Sequence, residues 1–206
     1  MRVYLDFDDV LSETFRALAA FAKAEFGRDP VPGRQIHFDL RESLGIPDSE
    51  YSLFMDRFHA EKLEDIPEIP GAAEVLRGWL RDGVASPVVV TGRPLSAHAA
   101  SVAWLAARGL SGVPVLHVDK YHRFGDGEKG VVQFDDLAGM GFALAVDDAP
   151  AALDALVRAD FCRVAAFDRP WNRAWIPPSD SGAPMHGSPL RLSSWKELDA
   201  AVRSAK

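Results

Sequence analysis

A chain of 206 residues, 48% of them apolar, can bury one sizeable core, and a single domain with a modest insertion is the expected organisation. With 30 Asp and Glu against 23 Lys and Arg the net charge is −7, which argues against a nucleic-acid polymer or an anionic membrane as the main partner. The single cysteine, Cys162, excludes an internal disulfide and fits a reducing compartment. No apolar run approaches a membrane span, so the reading is a soluble, cytoplasmic protein.

The first twelve residues organise the rest. Val3, Tyr4 and Leu5 form a strand-like run that stops at three carboxylates, Asp6, Asp8 and Asp9, before Val10 and Leu11 resume the apolar pattern. Acids at the carboxyl end of a buried strand sit where an open α/β sheet binds its ligands. In extended backbone Asp6 and Asp8 share one side and Phe7 takes the other. Two such acids repel by roughly 4 kcal/mol at 4 Å and an effective dielectric of about 20, a cost that a divalent cation removes. A solvated acidic turn is the alternative for this segment alone.

Phe15, Leu18, Ala19, Ala22 and Phe26 recur at helical spacing, and Gly27, Pro30, Pro32 and Gly33 close that helix. Ile36 to Leu40 is a short apolar-aromatic segment, and Asp48 or Ser49 can cap a second helix bearing Tyr51, Phe54, Met55 and Phe58. Residues 13–68 therefore read as a helical insertion. Most of its aromatics are expected to form its own core, with one or two, Phe38 among them, left to line a pocket facing the acids.

From Gly71 the pattern is α/β. An amphipathic helix through Val75, Leu76 and Trp79 ends at Gly83, and the β-branched run Pro87–Val90 suits a strand buried on both faces. It ends at Thr91-Gly92-Arg93-Pro94, where a hydroxyl and the amides of a glycine turn make an anion cradle. Arg93 could add charge there or pair with a surface acid. A helix through Trp104 follows, then a strand from Val113 to Asp119, a polar loop between Tyr121 and Lys129, and a short helix suggested by Val131, Phe134 and Leu137. Phe142–Val146 is a further strand ending in Asp147-Asp148. Cys162–Phe167 is the next, leading into Asp168-Arg169-Pro170-Trp171-Asn172-Arg173. The Pro-, Ser- and Gly-rich stretch 177–189 reads as a loop, and Ser194 with Glu197 has capping-box spacing for a last helix.

Helical crossovers force parallel strands with right-handed connections, so Asp6, Asp8, Thr91 and the Asp147-Asp148 pair fall on one sheet edge. The fold class expected is α/β, a Rossmann-like parallel sheet with helices on both faces. Hard oxygen ligands at that edge suit Mg2+ better than zinc. The histidines His37, His59, His98, His117, His122 and His186 share no metal-binding spacing.

These residues resemble the four motifs of the haloacid dehalogenase superfamily of phosphatases: Asp6-Phe7-Asp8-Asp9-Val10-Leu11, Val90-Thr91, a lysine, and Val146-Asp147-Asp148. The finer resemblance is to its 5′-nucleotidase, or deoxyribonucleotidase-like, branch, through Thr91-Gly92-Arg93-Pro94, the 167–173 segment and Ser194–Leu198. Asp9 departs from that branch, which usually has glycine there. The resemblance implies a core of residues 1–12 and 69–206 and a small helical cap of residues 13–68. It implies that Asp6 attacks phosphorus and that Asp8 serves as acid and base. Mg2+ would be held by Asp6, the Asp8 carbonyl, Asp148 and Asp147, and phosphate by Thr91, Gly92 and a lysine. Lys120 directly follows a strand and Lys129 opens a plausible helix; Lys129 is slightly preferred. Arg93, Phe38 and Trp171 are candidate substrate contacts. The expected partner is a small-molecule phosphomonoester, a nucleoside monophosphate or a sugar phosphate, bound by a monomer or homodimer. A phosphate-binding relative without activity is the other reading. A two-component receiver domain also combines paired acids, a threonine and a lysine, but has no room for the insertion.

Overall fold

The computed structural model describes residues 1–30, 37–120, 129–179 and 185–205. Ile36, Pro32, Gly33, His122 and the expected 121–128 loop lie outside them, as does the middle of the 177–189 loop. Among the described residues, seven parallel strands form one sheet in the order β4-β3-β2-β1-β5-β6-β7. They are β1 (Arg2–Leu5), β2 (Ser86–Thr91), β3 (Val115–Val118), β4 (Val131–Val132), β5 (Phe142–Asp147), β6 (Arg163–Phe167) and β7 (Leu190–Leu192). The opening strand is thus the central one.

Its alternation explains the layers. Val3 and Leu5 join Val89, Val146 and Phe167 in a core under α4 (Ala72–Asp82), α5 (His98–Ala106) and α7 (Trp195–Ser204). Tyr4 faces the other way, with Val88, Val90, Ala145 and Ala166, against α6 (Pro150–Ala159). Both faces are apolar and covered, as a parallel sheet requires.

Between β1 and α4 the chain forms α1 (Thr14–Phe26), α2 (Leu40–Leu44) and α3 (Asp48–Glu61). It leaves and returns at one place. The Glu13 amide donates to Pro67 O and the Ile69 amide to Leu11 O, both at 2.8 Å. Phe21, Phe26, Phe54 and Phe58 stack on one another with centroids 5.4 to 6.1 Å apart, so these rings are the segment's own core.

Four local expectations change. Asp48 is the first residue of α3, with Pro47 at the cap position, so neither Asp48 nor Ser49 caps it. Asp39 does cap a helix, accepting from the Arg41 amide at 2.8 Å in front of the unforeseen α2. Val131 begins an edge strand paired with His117 and Val118 rather than a helix, and a 3₁₀ turn over Phe134–Met140 follows. The loop at 177–189 leads into the short edge strand β7, whose three residues carry too little pattern to read. Ser194 caps α7 as expected, accepting from the Glu197 amide.

Candidate active site

Register brings the acids together. Leu5 is the Cα partner of both Val89 and Val146, and the Asp6 amide donates to Val146 O at 2.9 Å. One residue further on, Asp6 just past β1 and Asp147 at the end of β5 therefore stand side by side on the Tyr4 face, with Asp148 next to them. Carboxylate oxygens of Asp6, Asp147 and Asp148 all lie within 4.8 Å of one another, and all three residues are buried.

Lys120, two residues past β3, reaches into this group. Its Nζ donates to Asp6 Oδ1 at 2.6 Å and to Asp147 Oδ2 at 2.7 Å. Asp147 is further held by the Tyr4 hydroxyl at 2.8 Å and by the amides of Asp148 and Ala149 at 2.9 and 3.1 Å. The Trp171 indole N–H donates to Asp148 Oδ2 at 2.8 Å, and Asn172 Nδ2 donates to the Asp148 carbonyl at 2.8 Å. Among the described residues, no donor is bonded to Asp6 Oδ2 or to Asp148 Oδ1. Lys129, preferred from the sequence, is instead exposed before β4 and makes no ion pair with these acids.

Asp8 belongs to a second group. Arg93 is only 4% exposed; its Nη2 donates to Asp8 Oδ1 at 2.6 Å and its Nε to both carboxylate oxygens at 3.1 Å. Thr14 Oγ1 donates to Asp8 Oδ1 at 2.6 Å. Arg93 is thus paired with Asp8 at the cavity wall, and not with an acid on the outer surface. Thr91 is fully buried at the tip of β2, its Oγ1 accepting from the Arg93 amide at 3.2 Å, and Gly92 faces the cavity. Asp9 has φ 56°, the left-handed region that glycine takes freely and aspartate tolerates. Its carboxylate accepts from the Phe15 amide at 3.1 Å, tying the loop to α1.

Burial raises the Asp6 carboxyl to about 7, opposed by Lys120, with Asp147 and Asp8 adding to the rise. Burial lifts Asp9 to about 8 against the Phe15 amide, and burial plus the charges of Asp6, Asp9 and Asp147 pushes Asp148 well above the carboxylate range. Burial acts on Asp8 too, but the Arg93 guanidinium outweighs it and holds the group below its ordinary value. This crowd of buried oxygen donors, without a histidine or cysteine among Asp6, Asp147 and Asp148, fits a hard divalent cation, whose charge relieves the repulsion.

The acids form the floor of a cavity of about 510 Å³ whose walls include Phe15, Phe38, Tyr51, Met55, His59 and Trp171. Trp171 packs on Phe15 at 5.3 Å and on Phe38 at 6.5 Å between centroids, making an aromatic corner beside Asp148. From the sequence, Tyr4 is placed only in the first strand, His59 has no ligand role and Thr14 is left without a role, yet all three stand at the site. A lone tyrosine in a strand buried on both faces is a usable signal, since a buried hydroxyl needs an acceptor.

His117 lies at the edge of this site, 2% exposed, with Nδ1–H donating to the Arg93 carbonyl at 2.9 Å. Its Nε2 therefore accepts from His98 Nδ1, 3.1 Å away. Burial lowers its pKa from the model-peptide 6.5, with the His98 and Arg93 charges contributing. The unfolded chain then binds the proton more readily than the native one, so stability is full above the unfolded value and falls as pH drops through about 6.5. The raised carboxyls of Asp6, Asp9 and Asp148 give stability the opposite slope over this range, but they are common to the parent and His117→Gln. The difference in urea midpoint between the two proteins from pH 5 to 7.5 should therefore isolate the His117 slope, with the parent losing ground relative to the variant as pH falls.

No protein-family model matches the sequence, and comparison with curated proteins finds no match. Solved structures do match. A HAD family hydrolase from Deinococcus radiodurans, solved with bound phosphate and sodium, aligns at TM-score 0.60 and 19% identity over 99% of this chain and 95% of its own. A haloacid dehalogenase-like protein of unknown function from Agrobacterium tumefaciens aligns at 0.62 and 14% identity over 98% and 97%. A phosphonoacetaldehyde hydrolase-like protein from Oleispira antarctica aligns at 0.57 and 15% identity over 98% and 91%. The chain has the α/β fold of the haloacid dehalogenase-like hydrolases along its whole length.

Proposed function

We propose that the chain is a phosphomonoesterase of the haloacid dehalogenase superfamily, working with Mg2+ through an aspartyl-phosphate. The observation that carries this is the meeting of Asp6, Lys120 and the Asp147-Asp148 pair at adjacent strand tips. Bound Mg2+ would be held by Asp6, Asp148 and the Asp8 carbonyl, and would neutralise charge on the phosphoryl oxygens.

The chain's own residues divide the remaining work. An Asp6 oxygen attacks phosphorus as the ester P–O bond breaks, and Asp8 gives its proton to the departing oxygen. Arg93 keeps Asp8 ionised in the free protein, so that proton arrives with the substrate, whose phosphate has a second pKa of about 6. In the second step Asp8 takes a proton from water as the water oxygen bonds to phosphorus and the Asp6–phosphorus bond breaks. Lys120 and Thr91, with the Gly92 turn, hold the phosphate. Asp147 accepts from Lys120, Tyr4 and two amides, and so acts by fixing the lysine.

For substrate we propose a nucleoside monophosphate, as in the 5′-nucleotidase branch, with residues 13–68 as the cap. The Phe15, Phe38 and Trp171 corner offers ring faces to a base, and no such need exists for a sugar phosphate. A phosphate-release screen over nucleoside monophosphates, sugar phosphates and p-nitrophenyl phosphate, with Mg2+ and with EDTA, tests both levels. No release from any ester would end the hydrolase reading. A sugar phosphate preferred by two orders of magnitude in kcat/KM would end the nucleotide one. Phe38 is 44% exposed, so Phe38→Ala should fold normally. Loss of one stacking ring, about 0.5–1.5 kcal/mol, should raise KM for a nucleoside monophosphate roughly two- to tenfold and leave glycerol phosphate unchanged.

A further inference from the structure

Arg93 stands in the turn where the sequence suggests an anion cradle and borders the cavity, yet its guanidinium is already bonded to Asp8 and Ser101. Its side chain is 3% exposed, while that of Asp8 is 32% exposed toward the cavity. The guanidinium carbon lies 3.8 Å from the centroid of the buried Phe7 ring, and Nη1 donates to Ser101 Oγ at 3.0 Å. The backbone on either side is pinned as well, the amide by Thr91 Oγ1 and the carbonyl by His117. A residue fixed at so many points is suited to hold something else still. What it holds is Asp8.

The two oxygens of that carboxylate are not equivalent. Oδ1 takes the Nη2 bond and the Thr14 hydroxyl, both at 2.6 Å, and Thr14 is itself backed by Ser12 Oγ at 2.7 Å. Oδ2 takes, among the described residues, one longer bond from Nε at 3.1 Å. Oδ2 is therefore the oxygen with spare capacity to exchange a proton. We infer that Arg93 is a positioning residue: its fork, with Thr14, fixes the rotation of the Asp8 carboxylate so that Oδ2 meets the departing oxygen of the ester. This rests on the phosphomonoesterase reading above. It assigns Arg93 to the proton transfer rather than to phosphate binding. A lysine there keeps the charge but lacks the planar fork, so it cannot set that rotation.

The test compares two esters in the parent, Arg93→Lys and Arg93→Ala, with Mg2+ present. A nucleoside 5′-monophosphate needs a proton on its leaving oxygen; p-nitrophenyl phosphate leaves as a stabilised anion and does not. Both variants should lose about 10²-fold or more in kcat on the nucleotide and less than about tenfold on the aryl ester. KM for both should stay within about threefold of the parent, since binding is not what is removed. A parallel rise in KM for both esters would mean that Arg93 grips phosphate, and would overturn the assignment. So would equal kcat losses on the two esters, the signature of general damage, or full activity in Arg93→Lys. If the alanine variant does not fold, Ser101→Ala, which releases Nη1, is read by the same ratio at smaller amplitude. A parent that cleaves the aryl ester but shows no such split leaves the hydrolase reading standing and removes this one. A parent that cleaves neither removes both.

Discussion

Asp6→Asn is expected to abolish phosphate release, with kcat down by a factor on the order of 10⁴ or more, while the protein melts at or above the parent temperature. The first half follows from the role as nucleophile proposed for Asp6, since an amide oxygen at the same place cannot form the acyl phosphate. The second follows from the surroundings. Asp6 is 5% exposed, and burial with the Asp147 and Asp8 charges already holds its carboxyl up near 7 despite Lys120. Removing a charge that its environment disfavours relieves repulsion, and Lys120 keeps Asp147 as partner at 2.7 Å. Activity lost with the fold intact separates chemistry from structure. Turnover equal to the parent would remove the covalent mechanism.

Lys120→Met is expected to do both kinds of damage. It strips the shared cation from two carboxylates that are almost wholly buried, with side-chain exposures of 7% for Asp6 and 0% for Asp147. Breaking a buried pair by deleting one partner typically destabilises by about 3–5 kcal/mol, because the remaining charge has nowhere to go. Phosphate release should be lost as well, since the cation beside Asp6 is gone. Adding Asp147→Asn should recover part of the stability and none of the activity. By contrast Lys129→Met, at an exposed turn, should stay within about 0.5 kcal/mol of the parent and keep its rate. Urea denaturation and a phosphate assay on the same four proteins distinguish the two lysines. Equal effects at both positions would undo the assignment to Lys120.

The parts of the site that could be read in the sequence are those where an apolar run ends abruptly in chemistry. Val3–Leu5 before Asp6, Val88–Val90 before Thr91 and Leu144–Val146 before Asp147 each announce a buried strand and its tip, and helical crossovers then place the tips on one edge. The lysine could not be chosen that way. Lys129 is attractive in the sequence because a helix is expected directly after it, but Val131 and Val132 pair with β3 as an edge strand, and the helical turn begins only at Phe134, as a 3₁₀ segment. The partner of Arg93 was equally hidden. It lies 85 residues away, and both turns offered several charges of either sign. Likewise β7 spans three residues, Leu190–Leu192, too few for any period to show between the 177–189 loop and the Ser194 cap.

The strand at the centre of the sheet is also the first to be made. Its two neighbours begin at Ser86 and Phe142, so during synthesis Val3, Tyr4 and Leu5 wait for companions. At about 5–20 residues per second, roughly 7 to 30 s separate the emergence of Asp6 from that of Asp147. Throughout that interval the nascent chain carries an apolar segment with both flanks open, the condition under which newly made polypeptides engage chaperones or one another. A product broken off before Phe142 keeps Asp6 but holds neither half of the acid pair, and leaves one flank of β1 permanently bare.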